Sequence, residues 1–435
     1  MSELRADIIV LLCTRMVRMF AYGSLSVILA LYLTAIGLTG PQIGLLLALT
    51  LVGDTIISLW LTTRADRFGR RRTLIVGSLL MVLAGVVFVM TDSFVLLLLA
   101  ATIGVISPSG YEVGPFLSVE QAALSQVVSD RNRTNVFAWY TLAASLATAF
   151  GSLVGGVLVG TLQWASVTPV SSYRVGVGTY ALLGILLGLL FTRLTPAAEV
   201  PPAARAAIHK AAAHRLGLPH SQRIVLRLSS LFALDAFGGG FIIQTLTAYW
   251  LHVRFGVQES ALGGIFFGAN ILAGLSALVA ARMAARFGLI NTMVFTHLPS
   301  NVLLMLVPLM PNLTSVVVLL FVRFSISQMD VPTRQSYVMS VVPPEERSAA
   351  AGVTGVARTV GASIAPIFAG WLIASPSRID ALFYLGGGIK VVYDLLLYRS
   401  FITVRPPEAC SPPQPPASQA GEQAVADRQS EASRK

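Results

Sequence analysis

The chain is short of charge: Asp, Glu, Lys and Arg make up 12% of its 435 residues, about half of the roughly 25% that a soluble domain carries. That deficit excludes an ordinary soluble enzyme. Lysine is almost missing, with Lys210, Lys390 and Lys435 the three in the chain, so arginine supplies the positive charge. Cysteine is nearly absent too: Cys13 lies in an apolar stretch and Cys410 in the C-terminal tail, which gives no disulfide framework. There is no Walker sequence and no nucleophile–base arrangement, so neither an enzyme nor an ATP-driven pump has visible machinery. His209, His214 and His220 stand without cysteine or carboxylate support, and no metal or other cofactor is expected.

What the chain has in excess is apolar length. Hydrophobic residues form 55% of it and the mean hydropathy is +0.74. They gather in blocks of about 20 residues, the length a helix needs to cross a hydrocarbon layer roughly 30 Å thick. The blocks lie near 7–36, 41–62, 73–91, 94–127, 136–160, 173–193, 224–251, 259–281, 290–310, 314–341, 349–374 and 379–401. The expected fold is therefore an all-α membrane protein with twelve transmembrane helices. The first run holds Arg15 and Arg18 and has no small-residue cleavage site after it, so it reads as a retained helix rather than a signal peptide.

The net charge of +11 follows the membrane, which argues against nucleic acid as a partner. Basic residues cluster at Arg64, Arg67, Arg70, Arg71 and Arg72, and again at Arg131 and Arg133, through 193–223, at Arg282 and Arg286, at Arg347, and at Arg399 and Arg405. The alternate connections are nearly free of them. This positive-inside pattern places both termini in the cytoplasm. Residues 1–193 form a first six-helix half and 223–401 a second. The Pro/Ala-rich basic stretch 194–222 reads as a cytoplasmic linker, and 402–435, poor in large apolar residues, as a disordered cytoplasmic tail.

The halves repeat each other. Asp66-Arg67-Phe68-Gly69 after the second block matches Ala285-Arg286-Phe287-Gly288 after the eighth, 219 residues on. The stretch starting at Val127 matches that starting at Val341, 214 residues on, and the same register lays Gly151-Ser152-Leu153-Val154-Gly155-Gly156 onto Ala365-Pro366-Ile367-Phe368-Ala369-Gly370. These residues also carry a resemblance, over about 7–401, to the major facilitator superfamily. The loop from Thr62 through Asp66, Arg67, Gly69, Arg70 and Arg71 is similar to the family's loop signature between spans two and three, with Thr62 replacing the leading Gly. Gly151, Gly155 and Gly156, with Pro366 and Gly370 as counterparts, resemble the antiporter signature of the fifth span, with Ser152 where Pro is usual. Leu319 and Arg323, in the tenth span, resemble the family's arginine with a leucine four residues before it, usual in the fourth span, where Ala101 stands instead. Arg323 lies 222 residues after Ala101, eight more than the register at the span end, so the fourth span carries extra residues within 107–116. Pro108, Gly110, Gly114 and Pro115 should break that helix, either lining the transport path or forming an insertion packed near a helix end.

Ionisable groups at mid-bilayer cost about 3 kcal/mol each on insertion scales, so each needs a partner or a function. The candidates are Arg15, Arg18, Asp54, Glu112, Glu120, Asp235, Arg323, Asp330, Arg334, Arg358, Lys390 and Asp394. Arg18 and Asp54 share a depth, as do Asp235 and Arg358. Lys390 and Asp394, four residues apart, suggest a local pair. Glu120 and Arg334, equivalent in the repeat, suggest a gate or structural contact. His297 beside Pro299 reads as a hydrogen-bonded helix residue, and Gly238-Gly239-Gly240 as a hinge or close-packing site.

The resemblance implies alternating access around a midplane substrate site lined by spans one, four, seven and ten. Cavity candidates are then Arg18, Tyr22, Glu112, Gln244 and Arg323, and the proton-coupling candidates are Asp54, Glu112 and Asp235. It also implies that Asp66, with Arg67, Gly69, Arg70 and Arg71, latches the outward-open state against the start of the eleventh helix. The glycine motif points to the drug:proton antiporter branch, hence a monomeric cell-membrane exporter of a small organic compound in exchange for protons. The arginines favour a second reading, proton-coupled uptake or exchange of a small organic or inorganic anion.

Overall fold

With no water inside a bilayer to bond backbone amides and carbonyls, apolar blocks of this length close their hydrogen bonds within helices. The computed structural model describes residues 2–110, 116–128, 130–199, 218, 220–343 and 346–402. The first half comprises α1 (Ser2–Ala35), α2 (Gly40–Phe68), α3 (Arg70–Met90), α4 (Phe94–Ile103), α5 (Phe116–Val127), α6 (Asp130–Trp164) and α7 (Pro169–Phe191). The second comprises α8 (Gln222–Gly240), α9 (Gln244–Phe255), α10 (Glu259–Phe287), α11 (Leu289–Leu306), α12 (Leu313–Phe324), α13 (Asp330–Ser340), α14 (Arg347–Ile373) and α15 (Ala381–Phe401). Among the described residues ten spans are long and apolar enough to cross a membrane, counting α8 with α9 as one. The shorter pairs α4–α5 and α12–α13 supply spans four and ten, which gives twelve.

The break in span four falls where its prolines and glycines placed it. That in span ten, at Ser325–Met329, was not foreseen, because it contains neither Pro nor Gly. Its cause is Pro332, one turn on: a proline ring excludes a helical carbonyl four residues earlier, which here is that of Gln328. Large apolar side chains such as Leu79, Leu182, Phe295 and Val318 are more than half exposed. Such residues face lipid rather than water in a chain of this composition.

Local ties show which helix ends lie together. Asp7 of α1 accepts from the amide and hydroxyl of Thr195, at 2.9 and 2.6 Å. Glu199 accepts from the amides of Arg70 and Arg71 at 2.8 and 3.0 Å. It therefore caps α3, whose first-turn amides favour an anion. In the second half Glu346 accepts from the amides of His220 and Ser221 at the start of α8, at 2.8 and 3.0 Å. Tyr337 meets Phe401 with ring centroids 6.0 Å apart. The starts of α1, α3, α8 and α14 and the ends of α7, α13 and α15 thus share one end of the bundle, the terminal end. The starts of α2 and α10 lie at the far end. Of the linker foreseen at 194–222, 194–199 folds back on the first half, while 200–217 and 219, like 403–435 of the tail, lie outside the described residues.

The Glu346 tie has a pH signature. Burial alone would raise its carboxyl, but the amide of His220 and the hydrogen bonds from Ser221 outweigh burial, holding it below the ordinary glutamate range. A depressed folded-state pKa gives stability that is present above the unfolded value and lost as pH falls through the folded one. Glu346→Gln should therefore lower the melting temperature at pH 7, with the gap from wild type closing once the pH falls below the glutamate range; thermal unfolding at both pH values checks this.

Candidate transport site and its buried charges

The buried charges solve the same problem twice, with opposite polarity. In the first half Arg18 of α1 donates from both guanidinium nitrogens to the two oxygens of Glu120 on α5, at 2.8 and 2.7 Å, and neither side chain is exposed. Thr14 adds a bond to Glu120 at 3.0 Å, and the Tyr140 hydroxyl donates to its other oxygen. In the second half the equivalent helices place the acid first: Asp235 of α8 accepts from Arg334 of α13 at 3.0 Å. Glu120 and Arg334 are related by the repeat shift of 214, and Arg18 and Asp235 by a near-equal 217. The depth match had suggested Asp54 for Arg18, but the partner the fold supplies is Glu120. Asp54 itself is buried on α2, with the Ser58 hydroxyl 3.4 Å away.

The second half adds a layer. Lys390 of α15 reaches across to Asp235 at 2.5 Å, and Asp394 accepts from His297 at 2.8 Å and Asn301 at 3.0 Å, both on α11. The expected local pair Lys390–Asp394 therefore does not form, because each residue finds a partner on another helix. The expected pair Asp235–Arg358 does not form either, since Arg334 and Lys390 take the carboxylate. His297 is hydrogen-bonded, as its setting suggested. The glycine run explains itself here: a side-chain carbon at Gly238 would lie 3.0 Å from Lys390 Cγ, and at Gly239 3.5 Å from its Cε. These glycines leave the groove through which the lysine passes.

A polar seam joins the halves at mid-depth. Gln244 opens α9, just past the break at Phe241–Ile243, and donates to Ser26 at 2.9 Å and Ser152 at 3.0 Å. Asn270 of α10 donates to Ser152 at 3.3 Å and to Gln244 Oε1 at 3.2 Å. Ser152 stands where the family's signature has proline, so this chain exchanges a helix-bending residue for a hydrogen-bonding hub. The broken span-four segment enters the same seam. The Pro108 carbonyl accepts from the Thr245 amide at 3.2 Å, and the Val105 carbonyl from the Tyr180 hydroxyl. Freed carbonyls are thus satisfied by protein, as a break at membrane depth requires. Tyr22 stacks on Tyr180 at 6.4 Å and is fully buried inside the first half. Arg15 lies over the Tyr140 ring at 4.2 Å, and Arg323 at the end of α12 beside the Phe324 ring at 4.9 Å.

Beyond the seam the far end is closed by backbone contact. Gly44 of α2 lies so near α14 that a side-chain carbon there would come within 2.6 Å of the Gly370 Cα, and at Gly156 of α6 within 2.8 Å of the Gly263 Cα on α10. The glycines singled out as antiporter-like divide by face: Gly151 and Gly155 press on α1 at Phe20 and Ser24, while Gly156 and Gly370 seal the halves together. Outside this seal lies a cavity of about 510 Å³ lined in part by Trp164, Tyr173, Tyr249, His252 and Glu259. Glu259, buried at the start of α10, accepts from Gln163 at 3.2 Å and from the Tyr173 hydroxyl, so it ties α10 to the first half. Sequence reasoning passed over it. Its signal was an acid opening an apolar block in the nearly uncharged far-end connections.

The 62–72 loop is only partly visible. The side chains of Asp66 and Arg67, and the whole of Glu112, lie outside the described residues. Gly69 turns the chain at φ +97°, and a side-chain carbon there would meet Glu199 Oε1 at 3.1 Å. Arg70 donates to the Ala198 carbonyl at 3.2 Å and Arg71 offers its amide to Glu199. The acid bound at this turn thus comes from the inter-half segment, a partner no local motif indicates.

The model of the Major Facilitator Superfamily matches residues 11–366, with a second match at 228–429. The chain belongs to this superfamily. A curated relative, the uncharacterized membrane protein YJR124C of Saccharomyces cerevisiae, is 28% identical over 424 residues, 92% of this chain and 94% of the relative. Among solved structures, the nucleoside transporter NupG superposes with a TM-score of 0.70 at 14% identity, covering 91% of this chain and 99% of that one. The D-xylose-proton symporter gives 0.68 at 16%, covering 90% and 97%. At these identities the structural likeness speaks for the fold. The superfamily's fold is that of membrane transporters, which accounts for the two halves, the broken helices and the midplane seam together.

Two measurements test the geometry. Removing one partner of a buried ion pair leaves an uncompensated charge and costs about 3–5 kcal/mol. Arg18→Ala and Glu120→Ala should each show a loss of that order in detergent unfolding, whereas the double substitution should cost less than their sum. Gly156→Val should prevent far-end closure, so a cysteine placed at Ser260 should react faster with a maleimide than in the parent; an unchanged rate removes Gly156 from the seal.

Proposed function

We propose that this transporter exports a small organic compound, neutral or cationic, in exchange for protons. The observation that carries the reading is the bidentate Arg18–Glu120 pair. Arg18 was one of two residues that argued for an anionic cargo, and its charge is matched by a buried carboxylate. In the same way Arg334 and Lys390 are matched by Asp235. Basic charge is thereby spent on helix ties rather than offered to an anion. The glycine seal through Gly156 and Gly370, the residues that resemble the antiporter signature, supports the drug:proton antiporter branch. The D-xylose-proton symporter, which shares this fold, fits proton coupling here.

In this reading the chain is a monomer in the cell membrane with both termini in the cytoplasm. The sealed far end then faces outward and the arrangement is inward-facing. Gln244 contacts cargo at the seam, and Asp54, Glu112 and Asp235 are the carboxylates through which protons couple, so Asp54→Asn or Asp235→Asn uncouples transport from the pH gradient. Asp66, with Arg67, Gly69, Arg70 and Arg71, latches the opposite state. Uptake or exchange of an anion is the second reading, favoured by Arg323, a cation at the mouth of the span-ten break.

Thermal unfolding of the purified protein against a panel of metabolite anions and lipophilic amines decides between them, because a ligand that binds only the folded state raises the midpoint. The expected result is a rise with neutral or cationic amphiphiles that survives Arg323→Ala. A rise with anions that disappears in Arg323→Ala establishes the second reading instead.

A further inference from the structure

We propose that His297 of α11, held by Asp394 of α15, is a proton-binding site that controls the grip of Lys390 on Asp235. The proposal rests on the proton-coupled reading above and names a residue outside the carboxylates considered there. Its basis is stereochemical. Nδ1 of His297 lies 2.8 Å from Asp394 Oδ1 and 3.1 Å from Asn301 Nδ2; the carboxylate is the shorter contact and can only accept, so Nδ1 carries the ring hydrogen. Nε2 is then the open lone pair. It faces the ammonium of Lys390 at 3.5 Å and, beyond it, Asp235 Oδ1 at 3.7 Å. The same lysine donates to that same oxygen at 2.5 Å.

Once Nε2 is protonated, its N–H and the Lys390 ammonium 3.5 Å away are two like charges competing for the same oxygen, Asp235 Oδ1. A proton arriving there sets two cations against each other and supplies a second donor to that oxygen, beside the Arg334 bond to Oδ2. Lys390 is released and His297 takes its place. The groups facing the imidazole account for the charge. Asp235 comes from α8, Lys390, Tyr393 and Asp394 from α15, and Asn301 from α11 itself. The Tyr393 ring stands perpendicular to the imidazole at 5.9 Å. Behind Asp235, Arg334 of α13 bonds Asp330 at 3.1 Å, and Arg358 of α14 lies within electrostatic reach. Asp235, Asp330 and Asp394 balance Arg334, Arg358 and Lys390, so with a neutral histidine these groups carry no net charge. The incoming proton makes them positive.

Two consequences connect this site to transport. Asp235 sits five residues before the end of α8 at Gly240, beside the Phe241–Ile243 break, so exchanging Lys390 for His297 moves the hold on this half-helix from α15 to α11 while Arg334 stays bound. A cluster made positive by its proton also repels a cationic cargo, which makes proton and cargo alternate occupants, the relation an exchanger needs.

The test uses the full chain in lipid nanodiscs, with protons as the probe. Ring ¹⁵N NMR of labelled histidine, with His209, His214, His220 and His252 replaced by Gln, should show His297 in the Nδ1–H tautomer at pH 8 and as imidazolium by pH 5. In parallel, spin labels at Ala165→Cys and Ser377→Cys, on far-end loops of the two halves, with Cys13 and Cys410 replaced by Ser, should report a distance that changes between pH 8 and pH 5. That change should disappear in His297→Gln. A histidine that stays neutral to pH 5, or a pH response that survives His297→Gln, overturns the proposal; should the Gln variant not fold, the NMR titration decides alone. If His297→Gln keeps the amphiphile-induced rise in melting temperature while losing the pH response, the proton site and the export reading both stand. If no amphiphile shifts either protein, the export reading fails while the titration still decides the site.

Discussion

A charge inside a bilayer has no water to fall back on, and the rest of this structure depends on that constraint. Each ionic group that the fold carries to membrane depth must be matched by another group on a different helix, so the charges dictate which helices touch. Arg18 binds α1 to α5 through Glu120. Asp235 gathers α8, α13 and α15 through Arg334 and Lys390. Helix association in lipid lacks a hydrophobic driving force of the kind that works in water. These ties and the backbone contact at glycines take its place.

The glycines and the charges divide the labour by position. The buried ion pairs join helices within one half, at a depth where desolvation makes a broken pair expensive. Between halves the contact is made by polar side chains at mid-depth and, at the far end, by bare backbone where Gly44 meets Gly370 and Gly156 meets Gly263, with Glu259 hydrogen-bonded to Gln163 and Tyr173 beside it. The backbone contacts and the neutral seam come apart without breaking an ion pair. The strong bonds keep each half rigid and the weak ones let the halves part, which is the mechanical requirement of alternating access.

Much of this was legible in the sequence. Block length and the spacing of basic loops indicated twelve spans, the repeat indicated two halves, and Pro108 and Gly110 indicated the break in span four. Partners were harder to read. Depth along a helix is one coordinate, whereas pairing also needs the angle around the helix and its neighbour's identity, so Arg18 suggested Asp54 and found Glu120, and Lys390 suggested Asp394 and found Asp235. Glu199 and Glu259 escaped notice for a related reason: each caps or ties a helix distant in sequence, and no local spacing encodes that. The span-ten break was hidden because its cause, Pro332, lies one turn beyond the residues that unwind.

The reversal of polarity between the two halves has an electrical meaning. In the first half the cation stands on α1 and the anion on α5; in the second the anion stands on α8 and the cation on α13. The two pairs are dipoles of opposite sense at corresponding positions of a two-fold arrangement. When the halves rock by similar amounts in a transmembrane field, the work done on one pair offsets that done on the other. The empty protein's rocking then draws little displacement current from these pairs, and the membrane potential acts on the cycle through whatever mobile ion or cargo the halves carry.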